Sequence, residues 1–305
     1  MTHDALRIIA ALNGKGGTGK TSITANEAAL LAASGYRVLA IGLDPQGNLP
    51  LDLGMVGART ADGGSEFCTA CLAGRTPSPV RDVRPGLDVI SDGPALTDLA
   101  AVLVSRQGNG GGDATAIPAQ LIRQLAVEGG YDMVFLDCPP GVEPLQRVAL
   151  LAATLLLVPS KTDDASRAGL SLVADRYASV AEHNPDLQLL GAVMFGVNPA
   201  ATATLARARR LMAADLGGDG LVFDQTIRHV ESTAVESRAR GRVAHELKAD
   251  AAQQEPWWKG LRDGGKSGTR IPASAQTLAA DYYLLAQELL ARINKTEQQE
   301  DKTNG

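Results

Sequence analysis

Residues 6–22 read LRIIAALNGKGGTGKTS, an apolar run that breaks into a glycine-rich segment and then into a helix-like pattern. The glycine-rich segment matches G-x-x-x-x-G-K-[ST] at Gly14, Gly19, Lys20 and Thr21. In such a loop small residues let backbone N–H groups close around phosphate oxygens, the lysine adds positive charge, and the hydroxyl can ligate Mg²⁺. Because a predicted strand precedes the loop and a predicted helix follows it, we predict a loop that binds nucleotide phosphates. The predicted contacts are Gly14, Lys15, Gly16, Gly17, Thr18, Gly19, Lys20, Thr21 and Ser22.

Two carboxylates follow other apolar runs of the chain. Residues 36–43, YRVLAIGL, end just before Asp44, and the apolar part of residues 131–141, YDMVFLDCPPG, ends at Asp137. Ligands of open parallel sheets bind outside the carboxyl ends of the strands. Asp44, Asp137 and Thr21 are therefore candidate Mg²⁺ ligands. The D-P-Q-G segment that begins at Asp44 is also compatible with a plain turn, since proline and glycine favour loops.

Composition limits the class of protein. The chain has 305 residues, of which 45% are apolar and 21% charged, which is typical of a soluble globular fold with a sizeable core. Its net charge of −5 excludes a global attraction for nucleic acid or anionic membranes, so such binding would need a local basic patch. Without a long apolar run or a signal-peptide pattern, and with three cysteines, we expect a cytoplasmic protein without a disulfide framework.

A second lysine, Lys15, directly follows the first glycine of the loop. With K-G-G-T-G-K-T at residues 15–21, VLAIGLDPQGNLPLDLG at 38–54 and D-C-P-P-G at 137–141, the chain resembles the ParA/MinD ATPases that carry a deviant Walker A loop, and within them the ParA partition proteins. The resemblance covers most of residues 6–245 and the final helix. Taken alone, Lys15 would be read as a solvated loop charge.

The resemblance implies roles for three predicted catalytic residues. Lys20 would hold phosphates, and Asp44 would position the attacking water near Mg²⁺. Lys15 would reach across a two-fold interface to the nucleotide of the partner subunit, so that ATP is sandwiched in a homodimer. The D-C-P-P-G segment would sense the γ-phosphate. The implied function is plasmid or chromosome partition by an ATPase that binds nonspecific double-stranded DNA, associates with the nucleoid when ATP-bound, and is stimulated by a ParB-type centromere-binding protein.

Two positions qualify this resemblance. Many relatives carry an acidic residue two positions before Asp44, where this chain has Gly42, so the role of that carboxylate is either missing here or supplied elsewhere. Asn198 ends a predicted strand within residues 189–199 and is a candidate partner for the adenine edge. On the residue alone, a helix or turn cap is an equally good interpretation.

The resemblance and the order of apolar runs predict one α/β domain of the P-loop NTPase type over residues 1–293. We expect a doubly wound, mostly parallel sheet with helices on both faces. Residues 248–272 look like an insertion relative to a compact ParA. Residues 294–305 form a polar tail that we expect to be disordered.

Arginines become dense after Leu205 and supply the local basic patch. Arg207 and Arg210 are three residues apart, so they share a helix face, and Arg238 and Arg242 would share another. In ParA proteins basic residues of this region bind the DNA backbone without reading sequence. A run of charges is otherwise a solvated face. The candidate DNA-binding residues are Arg207, Arg210, Arg228, Arg238, Arg240 and Arg242.

Two other functions remain open. A MinD-like ATPase would anchor to a membrane through a basic amphipathic C-terminal helix, whereas this chain ends in polar, partly acidic residues, so we expect no membrane partner. A metal-cluster carrier could use the C-x-x-C spacing of Cys68 and Cys71. One such pair is a weak signal, and ordinary packing of both thiols is the simpler interpretation.

Overall fold

Strands and helices alternate along most of the chain in the computed structural model, which describes residues 6–55, 61–108, 112–254 and 271–304. The strands are β1 (Ile8–Ala11), β2 (Val38–Gly42), β3 (Val80–Arg84), β4 (Leu87–Ile90), β5 (Met133–Asp137), β6 (Leu155–Ser160), β7 (Gln188–Val197) and β8 (Val222–Arg228). The helices are α1 (Lys20–Ala33), α2 (Asn48–Asp52), α3 (Ser65–Ala73), α4 (Ala95–Gly108), α5 (Ala116–Gly129), α6 (Glu143–Ala152), α7 (Asp164–Val180), α8 (Thr202–Leu216), α9 (Glu231–Arg240), α10 (Ala244–Gln253) and α11 (Ser274–Asn304), with a 3₁₀ turn at Asp219–Leu221.

The strands form one sheet in the order β3-β4-β2-β5-β1-β6-β7-β8. All neighbouring strands run parallel except β3, which pairs antiparallel with β4. Each parallel pair needs a crossover connection, and helices supply these crossovers. The predicted doubly wound, mostly parallel sheet is therefore confirmed.

Helices cover both faces of the sheet, which explains why the central strands are apolar at every position. Along β1, Ile8 and Ala10 pack in one buried cluster, and Ile9 packs in the other. The first cluster includes side chains of α3 to α8, and the second includes side chains of α1 and α11. Because successive strand residues point to opposite faces, a sheet covered twice requires uninterrupted apolar runs.

The register brings the loop after β1 beside the ends of β2 and β5. Asp137, the last residue of β5, is opposite Ala11 of β1 on one side and Gly42 of β2 on the other. The loop between β1 and α1, Asp44 and Asp137 therefore meet at the carboxyl edge of the sheet, as their positions after apolar runs predict.

The predicted disordered tail, residues 294–305, is corrected by α11, which continues to Asn304. Leu285, Leu289 and Ile293 anchor the helix in the core, and the polar residues that follow include several lysines, glutamates and glutamines, which are good helix formers. Glu297 also accepts a hydrogen bond from Arg7 Nε at 2.6 Å. A polar sequence can therefore extend a helix that packing has already nucleated.

Part of the predicted insertion, residues 248–272, lies outside the described residues. Residues 255–270, which include both tryptophans, fall in this part, while the segment before them ends α10 and the segment after them leads into α11. The insertion and the domain boundary at residue 293 stay predictions. Among the described helices, none is both long enough and apolar enough to cross a bilayer.

Candidate functional site

The loop between β1 and α1 has the conformation of an anion cradle. Gly19 precedes α1 with φ 94°, and no side chain of the described residues caps the helix. The first amides of α1 are therefore left for a ligand, and the helix dipole favours an anion there. A Cβ at Gly19 would lie 2.3 Å from ring atoms of Phe195, so glycine is required by space as well as by φ. The start of the loop is fixed by Asn13, which donates to Pro159 O at 2.8 Å and accepts from Lys15 N at 2.9 Å.

Lys20 places its ammonium inside this loop. The side chain is buried, and Nζ donates to the backbone oxygen of Lys15 at 3.0 Å. Burial lowers the pKa of Lys20, while the carboxylates of Asp137 and Asp44 act in the opposite direction. A partly desolvated ammonium with one hydrogen-bond partner among the residues that the structure describes is a suitable ligand for phosphate oxygens, because it can still donate two protons.

Asp137 lies beneath the loop and has the properties of a cation ligand. It is 0% exposed, and neither carboxylate oxygen has a hydrogen-bond partner among the described residues. Burial raises its pKa to about 7, the nearby Thr21 hydroxyl acts in the opposite direction, and the Asp44 carboxylate adds to the rise. An unpaired carboxylate is costly to bury. Mg²⁺ held by Asp137 and the Thr21 hydroxyl would offset this cost, so the residues present fit the metal.

Asp44 follows β2 and is buried at the same edge. Its Oδ1 accepts a hydrogen bond from Gln46 N at 2.9 Å, which fixes the carboxyl group in the D-P-Q-G turn. Burial raises the pKa of Asp44, whereas the Gln46 amide and the Lys20 ammonium lower it. The turn interpretation and the catalytic interpretation are thus compatible, since the turn positions a carboxylate beside Lys20.

Lys15 is held within its own chain. Its Nζ lies 3.0 Å from both carboxylate oxygens of Asp163, which also caps α7 by accepting from Ser166 N at 2.7 Å. The hydrogen bond from Lys15 is the main cause that lowers the pKa of Asp163. The two side chains are 36% and 49% exposed, and an ion pair of this kind contributes about 0–1 kcal/mol. Lys15 can therefore exchange partners at small cost.

A cavity of about 340 Å³ opens beside the first turns of α1. Its lining includes Ser22 and Asn26 of α1, Phe195 and Gly196 of β7, and residues 227–231. Its volume lies in the range of pockets that hold small organic ligands.

In the described structure Asn198, the predicted adenine contact, lies outside this lining. Its side chain is exposed and accepts a hydrogen bond from Ala200 N at 3.1 Å. The geometry matches the turn-cap interpretation of this residue. The contact with adenine stays a prediction.

The predicted DNA-binding arginines fall into two groups. Arg207 and Arg210 are exposed on one face of α8, and the described residues include no acidic partner for either. The other predicted arginines pair with carboxylates of the same chain. The pairs are Arg228 with Asp281, Arg238 with Asp52, Arg240 with Glu236, and Arg242 with Glu246 and Asp250.

Cys68 and Cys71 both lie on α3 and pack in the apolar core. Burial raises the pKa of both thiols, that of Cys71 to about 12. Metal binding requires thiolates, and no group of three or more potential ligands occurs among the described residues. The packing interpretation is the one that the geometry supports.

Sequence reasoning missed three carboxylates near the site: Asp52 on α2, Asp92 after β4 and Asp163 before α7. Asp92 follows the apolar run at residues 87–91, so the rule that singled out Asp44 applies to it as well. Asp163 lies 148 residues from its partner Lys15, and no short-range pattern connects them. Asp52 is buried against Arg238, from which it is similarly remote in sequence.

Known proteins match both the sequence and the fold. The AAA domain family AAA_31 matches residues 6–189. The chain is 34% identical over 202 residues to the chromosome partitioning protein ParA of Caulobacter vibrioides, covering 64% of this chain and 71% of that protein. It is 35% identical over 192 residues to the chromosome-partitioning ATPase Soj of Thermus thermophilus, covering 63% and 70%.

A solved structure, cobyrinic acid a,c-diamide synthase from Mycobacterium smegmatis with bound ADP and magnesium, is similar at a TM-score of 0.62 and 26% identity, covering 88% of this chain and 100% of that one. The family match spans more than half of the chain, and the ParA relative exceeds 30% identity over more than two thirds of its own length. Together with the two-lysine loop and the buried carboxylates at the sheet edge, these matches show that the chain belongs to the ParA family of ATPases.

Proposed function

We propose that this protein binds ATP with Mg²⁺ at the loop between β1 and α1 and hydrolyses it to ADP and phosphate. One observation carries the proposal: amides of α1 and a buried carboxylate, both without a side-chain partner in the described part of the chain, meet a buried ammonium at one edge of the sheet. The amides and Lys20 suit phosphates, and Asp137 suits a divalent cation. The similar structure from Mycobacterium smegmatis, which contains ADP and magnesium, supports the same pair of ligands here.

The residues of the site divide the chemistry among them. The loop amides and Lys20 bind phosphate oxygens, and the Thr21 hydroxyl with Asp137 holds the metal. Bound Mg²⁺ would supply positive charge to the phosphate oxygens. Gln46 N fixes Oδ1 of Asp44, so the Asp44 carboxylate is oriented to accept a hydrogen bond from the attacking water.

Lys15 links ATP binding to assembly. In a single chain its ammonium pairs with Asp163, and this exposed pair is weak. When two copies meet across their bound nucleotides, Lys15 would leave Asp163 for the phosphates of the partner's ATP, where a charged acceptor in a drier site binds it more strongly. ATP would in this way close a homodimer.

DNA is the partner that the surface charge supports. Arg207 and Arg210 provide a basic face on a chain whose net charge is negative, and a dimer would present that face twice. Phosphate contacts of this type bind without reading sequence. The proposed biological role is partition of a plasmid or chromosome, with nucleoid association in the ATP state and hydrolysis stimulated by a ParB-type protein.

A membrane is less well supported as the partner. The apolar face of α11 packs in the core through Leu285, Leu289 and Ile293, so the described C-terminal helix has no equivalent face left for a bilayer. ATP-dependent sedimentation with anionic vesicles would contradict this assignment.

The decisive experiment measures binding to random-sequence duplex DNA without nucleotide, with ADP and with a nonhydrolysable ATP analogue, over a series of salt concentrations. We expect tight, salt-sensitive binding only with the analogue. Lys20→Ala is the matched control, because it removes the phosphate ligand and leaves the α8 arginines in place. DNA binding that is equal in all nucleotide states would contradict an ATP-gated clamp.

A further inference from the structure

Lys161 is a cation beside the proposed nucleotide site that the proposed chemistry has not used. It directly follows β6, and the residue is partly buried. In the part of the chain that the structure describes, its ammonium has neither a salt bridge nor a hydrogen-bond partner, whereas Lys15 pairs with Asp163 and Lys20 donates to a backbone oxygen. A partly buried ammonium without a partner loses hydration that nothing replaces. An anion at this position would supply the missing partner.

The side chain of Lys161 ends at the loop between β1 and α1. A Cβ at Gly17 of that loop would lie 3.8 Å from Nζ of Lys161, and a Cβ at Gly196 of β7 would lie 3.7 Å from its Cε. Both distances correspond to ordinary van der Waals contact. The stem therefore passes β7, and the ammonium reaches the backbone whose N–H groups are proposed to bind phosphate.

Contacts on both sides of Lys161 hold its segment against the same loop. Before it, the backbone oxygen of Pro159 accepts a buried hydrogen bond from Asn13 Nδ2 at 2.8 Å. After it, Asp163 accepts a hydrogen bond from Nζ of Lys15 at 3.0 Å and caps α7. Residues 159–163 therefore follow the loop between β1 and α1. Lys161, in the middle of this segment, is held beside the loop by its neighbours.

Lys161 also lines the cavity of about 340 Å³ beside α1. Two arginines in the same lining form salt bridges, Arg228 with Asp281 and Arg238 with Asp52. Of the lysines and arginines in this lining, Lys161 is thus the one whose charge no described carboxylate neutralises. Because its ammonium lies where the cavity meets the loop, a ligand with phosphates on the loop and its remainder in the cavity would pass Lys161.

We propose that Lys161 is a third lysine of the nucleotide site and binds phosphate oxygens of the nucleotide held by its own chain. The assignment rests on the proposed nucleotide binding. An ammonium on a flexible stem can donate to phosphate oxygens without a fixed geometry, and such charge-assisted bonds are stronger than neutral ones. Lys20 and Lys161 would then serve the nucleotide of their own chain, and Lys15 that of the partner. The contribution of Lys161 therefore needs no dimer.

ADP binding to the full-length protein tests this assignment, and isothermal titration calorimetry measures it. Lys161→Met keeps an unbranched stem and removes the charge, and we expect it to weaken ADP binding by about tenfold or more, while the Tm without nucleotide stays unchanged. Lys161→Arg keeps the charge and should retain most of the affinity. Lys248→Met, an exposed substitution on α10, is the matched control and should bind ADP like wild type. Equal ADP affinity in Lys161→Met and wild type would overturn the assignment.

Inorganic pyrophosphate separates a contact with phosphate from a contact with the nucleoside. Its affinity is measured by displacement of a fluorescent ADP analogue, and Lys161→Met should weaken it by a factor within about threefold of that for ADP, since both ligands present phosphate oxygens. A loss for ADP with normal pyrophosphate binding would place Lys161 on the sugar or base and overturn the phosphate assignment.

A second neutral variant and the wild-type titrations keep the outcomes distinct. If Lys161→Met lowers the Tm, Lys161→Gln, which is neutral but polar, replaces it in both titrations and should show the same losses. Should wild type bind neither ADP nor pyrophosphate, the proposed nucleotide function itself fails. Wild-type binding together with an unaffected neutral variant removes only Lys161.

Discussion

Lys15 pairs with Asp163 in the single chain and with a partner's nucleotide in the proposed dimer, and this competition leads to the first prediction. Lys15→Ala would remove the proposed contact with the nucleotide of the second subunit, so we expect nearly normal ATP binding by the monomer but no ATP-dependent dimer. Sedimentation velocity with a nonhydrolysable ATP analogue measures this directly. Asp163→Ala is the matched control, because it breaks the same 3.0 Å pair but keeps the ammonium. Normal dimers of Lys15→Ala would contradict a role in trans.

Glu27 predicts a pH dependence of stability that is independent of nucleotide. It is 0% exposed on α1, neither oxygen has a hydrogen-bond partner among the described residues, and burial raises its pKa well above 4.5. Between the unfolded and folded pKa values the folded state holds a proton that the unfolded state releases, so stability falls as pH rises, by about 1.4 kcal/mol per pH unit in that interval.

Glu27→Gln should therefore gain in Tm over wild type as the pH rises from 5 to 8, because glutamine has no proton to hold. Differential scanning calorimetry at several pH values tests this. Glu128→Gln, an exposed substitution on α5, should show no such trend. A Tm difference for Glu27→Gln that stays constant with pH would be inconsistent with a protonated Glu27.

At the level of single residues, short sequence patterns predict the residues whose positions depend on their immediate neighbours along the chain. Asp44 and Asp137 were found because each follows an uninterrupted apolar run, and the register then placed them at one edge. The contacts of Lys15 with Asp163 and of Asp92 with Gly42 join distant parts of the chain. Such pairs depend on strand order and loop path, which no short sequence window contains.

Among the elements, apolar runs predict the central strands β1, β2, β5 and β7, whereas no such run predicts the edge strands β3 and β8. Residues of β3 are all at least partly exposed, and β8 has only three buried positions among seven. An edge strand is covered less completely than a central one, so its sequence lacks the continuous apolar run. The polar end of α11 was misjudged for a related reason, since its stability derives from the packed turns before it.

The two exposed arginines of α8 lead to a prediction for DNA binding. Arg207→Ala/Arg210→Ala should weaken binding of the ATP-analogue form to random duplex DNA. The plot of log K against log salt should flatten by about 0.9 for each DNA phosphate that the variant no longer neutralises. Fluorescence anisotropy over a salt series provides the measurement. Arg106→Ala on α4 removes an exposed charge elsewhere and serves as the control. An unchanged slope would exclude both α8 arginines from the interface.

The paired arginines should behave differently. Arg228 donates to Asp281 through Nε at 2.6 Å, and Asp281 is buried. Removal of Arg228 would leave a buried carboxylate without its cation, which is strongly destabilising. Loss of DNA binding in an Arg228 variant is therefore informative only if its Tm is unchanged.

For the whole molecule, the negative net charge favours the proposal that DNA binding depends on assembly. With a net charge of −5, a monomer offers few favourable contacts to a polyanion, so in the proposed function two copies of the α8 face act together. Two linked faces bind far more tightly than one because the second contact is intramolecular. DNA affinity should therefore follow the fraction of dimer.

Asp44→Ala and Lys15→Ala together test this coupling between hydrolysis, assembly and DNA. Asp44→Ala should bind ATP but hydrolyse it at least about a hundredfold more slowly, since it lacks the carboxylate proposed to orient water. Its dimer should then persist on DNA in ordinary ATP, where wild type dissociates within its turnover time. Adding Lys15→Ala should abolish this persistence, because no dimer forms even though ATP remains bound. If Asp44→Ala/Lys15→Ala stayed on DNA in ATP as long as Asp44→Ala alone, DNA binding would be a property of the monomer, and the gating role assigned to Lys15 would have to be abandoned.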